Sequence, residues 1–448
     1  PGRPTGAPGG LSAMPGGRGV APGGLSAVPA EPPRLVPAPA PGVLWTDADA
    51  DAWLTARDLV GWRFALDRME RLLVELGAPQ SSVPAIHVVG TNGKSSTTRM
   101  VAALLQAHGR RPGAYLSPHL HDLRERIELA GRPITAQQHA LAVAAVARAA
   151  ERVDRPGDPV TQFEAHTATA FVALTAAAAD VFVIEAGLGG RLDATNVLGA
   201  PVVALTSVDL DHTQLLGDTI EAITAEKVAV VTEGATLVLG ADLSEAATIV
   251  ARDHCARIGA QVVTAKPEPL DRKLGAPYQQ RNFALARAVC EAYIGALDLR
   301  IVREVAAAFA MPARFETIGE RPTTILDGAH NPAGARALAA SLAQAGHEGG
   351  GVAVMSVFAD KDAAAMAAEL GSVVDGFVLC DCGSPRALPP QQLAIIIRNE
   401  LPGAAVTVVD APLDAVAAAR TAAGPDGFVV ICGTLALAHA VRTPEVDR

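Results

Sequence analysis

Aromatic residues are scarce. Ten Phe, three Trp and three Tyr amount to 4% of 448 residues. The interior must therefore be packed by Ala, Val, Leu and Ile, as in α/β proteins whose strands are buried on both faces. Cysteine is sparse too: Cys255, Cys290, Cys380, Cys382 and Cys432 are odd in number and scattered. That excludes a disulfide framework and suits a reducing cytoplasm. Cys380-Asp381-Cys382 has no second Cys/His pair at zinc spacing, so it reads as a strand end. No apolar run reaches about 18 residues, so no membrane-spanning helix is expected. Positive charge is in deficit, with 37 Lys and Arg against 47 Asp and Glu and a net charge of −10. This removes the whole-chain case for binding nucleic acid. It also means that an anionic substrate needs a locally positive site.

Residues 1–44 are Pro, Gly and Ala, with Leu11-Ser12-Ala13 nearly echoed at Leu25-Ser26-Ala27. Such a composition buries too little surface to order itself. Without an apolar h-region it is not a secretory signal. It is expected to be a disordered tail or an over-extended start, and without an initiator Met its first residues are not expected to be native.

The chain turns on Val88-Val89-Gly90-Thr91-Asn92-Gly93-Lys94-Ser95-Ser96. Before it, Ala85 to Val89 is short, apolar and β-branched, the pattern of a buried parallel strand. After it, Met100, Val101, Leu104 and Leu105 recur at helical spacing. Strand, Gly-containing loop, Lys-Ser and helix make an anion site from backbone N–H groups and a helix N-terminus. Lys94 adds charge for the outer phosphates, and Ser95 a hydroxyl for a bound Mg²⁺. The match to G-x-x-x-x-G-K-[ST] is incomplete, because Val88 stands at the first Gly. In this departure the loop resembles that of the Mur-type ATP-dependent amide ligases.

Ala114–Leu120 is expected to form a short strand ending in a loop, with further strands at Asp180–Ile184, Val202–Thr206 and Thr236–Gly240. Helices are expected at Arg63–Gly77, Thr135–Arg152, Thr161–Ala178, Thr219–Val231 and Ser244–Ile258. Their alternation predicts a doubly wound, mostly parallel sheet. Functional residues then gather beyond the carboxyl ends of the strands, where Glu185 and His212 fall. Together these two make a plausible divalent-cation pair. The glycines of Gly187–Gly190 are expected to allow close substrate approach and positive φ. Arg191 and Asp193 are candidate substrate contacts, with a salt-bridged loop as the alternative. The stretch Ala241–Gln280 is short and shows no hairpin before Arg281-Asn282. A second domain starts between Met311 and Arg321. It carries strands at Thr323–Leu326, Gly351–Val357, Gly376–Leu379, Ala405–Val409 and Phe428–Ile431. The division expected is a tail at 1–44, an ATP-binding domain at 45–310 and a smaller Rossmann-like α/β domain at 311–448.

Four further segments are similar to the folylpolyglutamate synthase/dihydrofolate synthase family. They are Glu185-Ala-Gly-Leu-Gly-Gly-Arg-Leu-Asp-Ala-Thr-Asn196, Asp211-His212-Thr213, Ser117-Pro118-His119-Leu120 and Asp327-Gly-Ala-His-Asn-Pro332. The likeness runs from about Trp45 to Arg442. It implies that Asn92, Gly93, Lys94, Ser95 and Ser96 hold the ATP triphosphate. Ser95, Ser117, Glu185 and His212 would bind two Mg²⁺ ions, and Lys227 would be a carbamylated lysine. Asn282, Arg314 and Asp327 match nucleotide contacts. His330, Lys361 and Arg386 would face L-glutamate. Thr161, Gln162 and Phe163, with Leu192, Asp193 and Ala194, would line a pterin site. The activity implied is a cytoplasmic, monomeric ligase joining glutamate to dihydropteroate, and also to reduced folates, through an acyl phosphate. The rival readings are a Mur-type ligase acting on a cell-wall precursor and a nucleotide-binding protein without catalysis. The Gly187–Asn196 run argues against the first. Intact Lys94, Glu185 and His212 argue against the second.

Overall fold

The computed structural model describes residues 36–442, save 41, 58–63 and 348. Most of the expected tail thus lies outside the described residues, as does the start of the expected Arg63–Gly77 helix, which runs from Asp67 to Glu75.

The first sheet contains β1 (Ala85–Val89), β2 (Pro112–Tyr115), β3 (Ile127–Leu129), β4 (Arg132–Pro133), β5 (Val181–Glu185), β6 (Val202–Leu205), β7 (Thr236–Leu239) and β8 (Gln261–Thr264). Their spatial order is β4-β3-β2-β5-β1-β6-β7-β8. All neighbours are parallel except the β2–β3 and β3–β4 pairs. Strand β1 lies between β5 and β6, with Val88 opposite Glu185 and Val89 opposite Leu205. The loops after these three strands therefore open at one end of the sheet.

Each central strand is buried on both faces. Ile86 and Val88 join one core with Met100, Leu104 and Phe283. Ala85 and Val89 join the other with Phe171, Phe182 and Ile184. Small helix residues allow this close packing: Ala165, Ala168 and Ala170 all sit in the second core. The helix carrying them, Gln162–Ala176, begins at a capping box made by Thr161 and Glu164.

The second sheet holds β9 (Glu316–Glu320), β10 (Thr323–Leu326), β11 (Gly351–Met355), β12 (Gly376–Leu379), β13 (Ala405–Val408) and β14 (Phe428–Cys432). Its order is β13-β12-β11-β14-β10-β9, parallel except for the edge strand β9. It too has a core on each face. We call the two sheets with their helices the first and second lobes.

Ala241–Gln280 lacks a hairpin, as expected, but it contributes β8 as a parallel edge strand. Gln261 to Thr264 are mostly exposed and carry no buried apolar run, so periodicity could not reveal them. The five cysteines are free, and burial pushes the Cys380 thiol up to about 12. Cys380 follows directly on β12, so Cys380-Asp381-Cys382 is a strand end.

Candidate active site

A cavity of about 680 Å³ lies between the lobes at the carboxyl end of β1, β5 and β6. Seven basic side chains line it, Lys94, Lys227, Arg281, Arg314, Arg336, Lys361 and Arg386, and all but the buried Lys227 are cations. Five carboxylates oppose them: Glu185, Asp209, Asp211, Asp242 and Asp327. An acidic chain has thus gathered a local positive excess, which suits an anionic substrate.

The phosphate loop follows β1. Gly93 caps the helix Lys94–Ala107 at φ +83°, and a Cβ there would lie 2.6 Å from Asn282 Oδ1. Only glycine admits both the left-handed backbone and the Asn282 amide. Lys94 Nζ donates to the carbonyls of Gly90 (3.1 Å) and Thr91 (3.0 Å). The Gly90 carbonyl accepts from a second amine, Lys227 Nζ, at 2.9 Å. Lys227 is buried, and burial followed by the Lys94 charge brings its amine down to about 7. It therefore loses its proton far more readily than an ordinary lysine.

Glu185 ends β5 and is buried. Its Oε1 accepts from Ser95 Oγ at 3.0 Å and its Oε2 from the Ser117 N–H at 3.1 Å. Ser95 Oγ also lies 3.4 Å from the Ser117 carbonyl. Of the two serines after Lys94, Ser95 therefore faces Glu185, while Ser96 is buried. Ser117 is engaged here through its backbone. Burial raises the Glu185 carboxyl, and Lys94 with these hydrogen bonds opposes the rise. A buried carboxylate beside a hydroxyl and a carbonyl is an all-oxygen donor set, which fits Mg²⁺. Burial and then the Lys361 charge lower the His212 imidazole, which favours the neutral form that metal ligation requires. Among the described residues, the group of three or more His, Cys, Asp or Glu ligand atoms within 4.8 Å is elsewhere, at Asp47, Asp51 and His139. Any cation in the cleft therefore needs hydroxyl, backbone or phosphate oxygens as well.

The second lobe forms the opposite wall. Asp327 follows β10, is buried, and accepts from Tyr278 Oη (2.6 Å), Phe315 N (2.8 Å) and Ala329 N (2.8 Å). Burial raises its carboxyl, with Arg314 opposing. His330 lines the cavity, its Nδ1 donates to the Gly328 carbonyl at 2.9 Å, and burial lowers it to about 4. Arg386 stacks on Phe358 and pairs with Asp360 at 3.2 Å. Lys361 reaches the first lobe, 2.6 Å from Asp211 Oδ1 and 3.3 Å from His212 Nε2. Asn331 also bridges the lobes. Its amide pairs reciprocally with Asn92 at 3.1 Å and donates to Asp211 Oδ2 at 2.9 Å. Asn331, Tyr278 and Asp211 carry no site role that their sequence context announces. Asn331 before Pro332 carries a helix-cap signal, and it does cap Pro332–Gln344. Nothing local marks Tyr278.

The residues assigned to the pterin do not line this cavity. Asp193 is buried with both oxygens committed, to Leu188 N (2.8 Å) and to the N–H and hydroxyl of Thr195 (3.0 and 2.5 Å). These bonds make it a residue that shapes the loop. Thr161 is likewise buried and spends its hydroxyl on Glu164. Gln162 donates to Leu54 O at 3.2 Å. Ala194 is buried and Leu192 is 43% exposed. Phe163 packs directly behind Gly187, where a Cβ would come within 2.4 Å of its ring. Within the protein the close approach at Gly187 is to Phe163, and at Gly190 to the backbone of Glu226 and Lys227, while Gly187 and Gly189 also line the cavity. Gly189 has the expected positive φ, +71°. Arg191 is salt-bridged to Glu226 at 2.9 Å, the alternative expected for it.

Residues 313–435 match the family model described as Mur ligase, glutamate ligase domain. The chain is 34% identical to the dihydrofolate synthase/folylpolyglutamate synthase of Mycobacterium tuberculosis, over 90% of this chain and 96% of that one. The folylpolyglutamate synthase of the same organism, complexed with ADP, superposes with a TM-score of 0.82 at 33% identity, covering 89% of this chain and 98% of that one. The bifunctional synthase from Yersinia pestis, complexed with AMPPNP and a Mn ion, gives 0.79 at 28% identity over 90% and 98%. With the phosphate loop, the buried Glu185 and the two-lobed cleft in place, the chain belongs to the folylpolyglutamate synthase/dihydrofolate synthase family.

Proposed function

We propose that the protein is a cytoplasmic ATP-dependent ligase that joins L-glutamate to dihydropteroate and to reduced folates. The observation that carries this reading is the composition of the cleft. One wall offers a phosphate loop with Lys94, Ser95 and Glu185. The other presents Lys361, Arg386 and His330 across about 680 Å³. Free cysteines and the absence, among the described residues, of a helix long and apolar enough to cross a membrane are consistent with the cytoplasmic assignment.

In the first step a carboxylate oxygen of the folate attacks the γ-phosphorus of ATP, and ADP leaves. Two anions must meet, so their repulsion has to be offset where charge develops. Asn92, Gly93 and Lys94 hold the triphosphate, with the N-terminus of Lys94–Ala107 behind them. Asn282, Arg314 and Asp327 hold the rest of the nucleotide, and Tyr278 keeps Asp327 in place. Ser95, Ser117, Glu185 and His212 would hold Mg²⁺, which when bound supplies charge neutralisation between the phosphates and the acceptor. Lys227 adds its neutral amine to CO₂, losing one proton to become a carbamate. That exchanges a buried amine for a carboxylate-like group facing the cations.

In the second step the α-amine of glutamate attacks the acyl carbon and phosphate leaves. Lys361 and Arg386 offer cations to the carboxylates of glutamate, and His330, neutral in this site, is placed to take a proton from the amine. The second lobe excludes water that would hydrolyse the acyl phosphate. Behind Gly187, the Phe163 ring and the loop tied by Asp193 form the surface assigned to the pterin.

Phosphate release with ATP, Mg²⁺, glutamate and either dihydropteroate or tetrahydrofolate tests the assignment. Release with both acids is expected. Release with dihydropteroate alone restricts the activity to dihydrofolate synthesis. Release with neither refutes the reading.

A further inference from the structure

Lys361 has two claims on it. In the proposed ligation its ammonium belongs to the incoming glutamate. In the structure that ammonium is already spent. Its side chain is 6% exposed and crosses from the second lobe to lie 2.6 Å from Asp211 Oδ1. The same nitrogen is 3.3 Å from His212 Nε2. Asp211 is held from its other oxygen by Asn331, whose amide is itself paired with Asn92 of the phosphate loop. The link between lobes therefore runs Lys361, Asp211, Asn331, Asn92. Lys361, Asp211 and Asn92 line the cavity, and Asn331 caps the helix Pro332–Gln344 beside it.

Taking the ligase reading as its basis, we propose that Lys361 is a resident counter-ion for the His212 side of the cleft, displaced when a divalent cation arrives with nucleotide and only then free to receive glutamate. The physical reason is competition. A carboxylate and an imidazole that embrace an ammonium at hydrogen-bond distance cannot also take a doubly charged ion without forcing two cations together. Until the metal comes, Lys361 neutralises Asp211 and holds the lobes in register. Once it has come, the ammonium must swing away, and the nearest use for it is a substrate carboxylate. Glutamate then meets a cationic wall only in a cleft already charged with nucleotide. This order keeps the second substrate from blocking the entry of ATP.

Mn²⁺ binding read by electron paramagnetic resonance of the free ion, with saturating AMPPNP and the full chain, measures the competition without turnover. Lys361→Met keeps the length and removes the charge. It should bind Mn²⁺ about tenfold more tightly than the wild type, within the usual range for coupled sites, and Lys361→Arg should stay near the wild-type value. Equal or weaker Mn²⁺ binding by Lys361→Met overturns the proposal. The wild type alone gives a second test. If metal frees Lys361 for glutamate, glutamate must in turn tighten Mn²⁺ binding by the same factor. No such effect of L-glutamate, with L-alanine as the control for chelation, also overturns it. Neither result depends on ligation. A wild type that fails to release phosphate would sink the assigned reaction while leaving the metal measurements to stand or fall separately.

Discussion

His87 sits in the middle of the central strand, 1% exposed, and burial brings its imidazole down to about 3. Its Nε2 lies 2.8 Å from Thr195 Oγ1. The Thr195 hydroxyl donates to Asp193 at 2.5 Å, so the Thr195 oxygen is left to accept and Nε2 carries the proton. Protonating the other nitrogen would place an unscreened cation in the core. The folded protein thus keeps His87 neutral where the unfolded chain, with its ordinary value near 6.5, takes up a proton. Because the folded value is depressed, stability is fully present above about pH 6.5 and falls as the pH drops toward the folded value. Between about pH 7 and about pH 5 this single group costs about 2 kcal/mol. The figure is insensitive to the folded value, since at about pH 5 the native ring is still neutral.

His87→Leu removes the titration and one hydrogen bond, a uniform loss of about 1 kcal/mol. Other buried histidines, such as His166, stay the same in both proteins and cancel in the difference. Trp53 is buried in a first-lobe core and Trp45 packs against it, so Trp fluorescence during urea unfolding reports the first lobe. The wild type should be the more stable at about pH 7. By about pH 5 the gap should have closed or reversed by about 2 kcal/mol. A difference between the two proteins that does not change with pH would refute the reasoning.

Lys94→Ala should abolish phosphate release while leaving the thermal transition in place; unchanged turnover would remove the phosphate loop from the mechanism. Tyr278→Phe strips a donor from the buried Asp327 and should cost about 1–3 kcal/mol of nucleotide binding, read as a KM for ATP raised about tenfold with little change for glutamate. Gly187→Ala drives a methyl into the Phe163 ring and should cost about 1–3 kcal/mol in packing, with KM for the pterin acid rising most; adding Phe163→Leu should recover part of it, and no recovery would mean that the clash is not the cause. Degassing and CO₂-free buffer should slow wild-type turnover and bicarbonate restore it, whereas Lys227→Ala should be slow in both, a contrast that checks the carbamate.

What the sequence makes legible is local. The strand, loop and helix around Lys94 are consecutive, so periodicity and turn chemistry define them within a few residues. Parallel strands buried on both faces read as short apolar runs, and β1, β5, β6, β10 and β14 are legible in that way. β8 is not, because an edge strand with mostly exposed residues has no such run. The helix carrying Asn282 and Tyr278 is also unmarked, although the family resemblance singles out Asn282. Partners far apart in sequence are the main loss. Asn92 and Asn331 are separated by 239 positions and Asp211 and Lys361 by 150, and no pattern in one segment announces its partner in another.

Asp193 shows that a residue in a candidate binding loop can carry a structural role the sequence does not announce. An acidic residue in a Gly-rich loop after a strand has the look of a substrate ligand. Its two oxygens also accept from Leu188 and Thr195, and Thr195 in turn accepts from His87. The loop from Gly187 to Asn196 is therefore tied through a buried polar chain to the same strand that launches the phosphate loop. A hydrogen-bonded chain in the interior is costly to leave half-satisfied, so the loop and β1 hold their relative positions as one unit. Glu185 at the near end of that loop and Lys94 just beyond β1 are thereby fixed against each other before any substrate enters. Preorganisation of this kind lets charges act on a transition state without first having to be moved. If the chain is broken at Thr195 by Val, which keeps the shape and removes the donor and acceptor, the loss should appear in turnover as well as in stability. Full turnover in a destabilised Thr195→Val protein would show that the tie holds up the fold and does nothing for the chemistry.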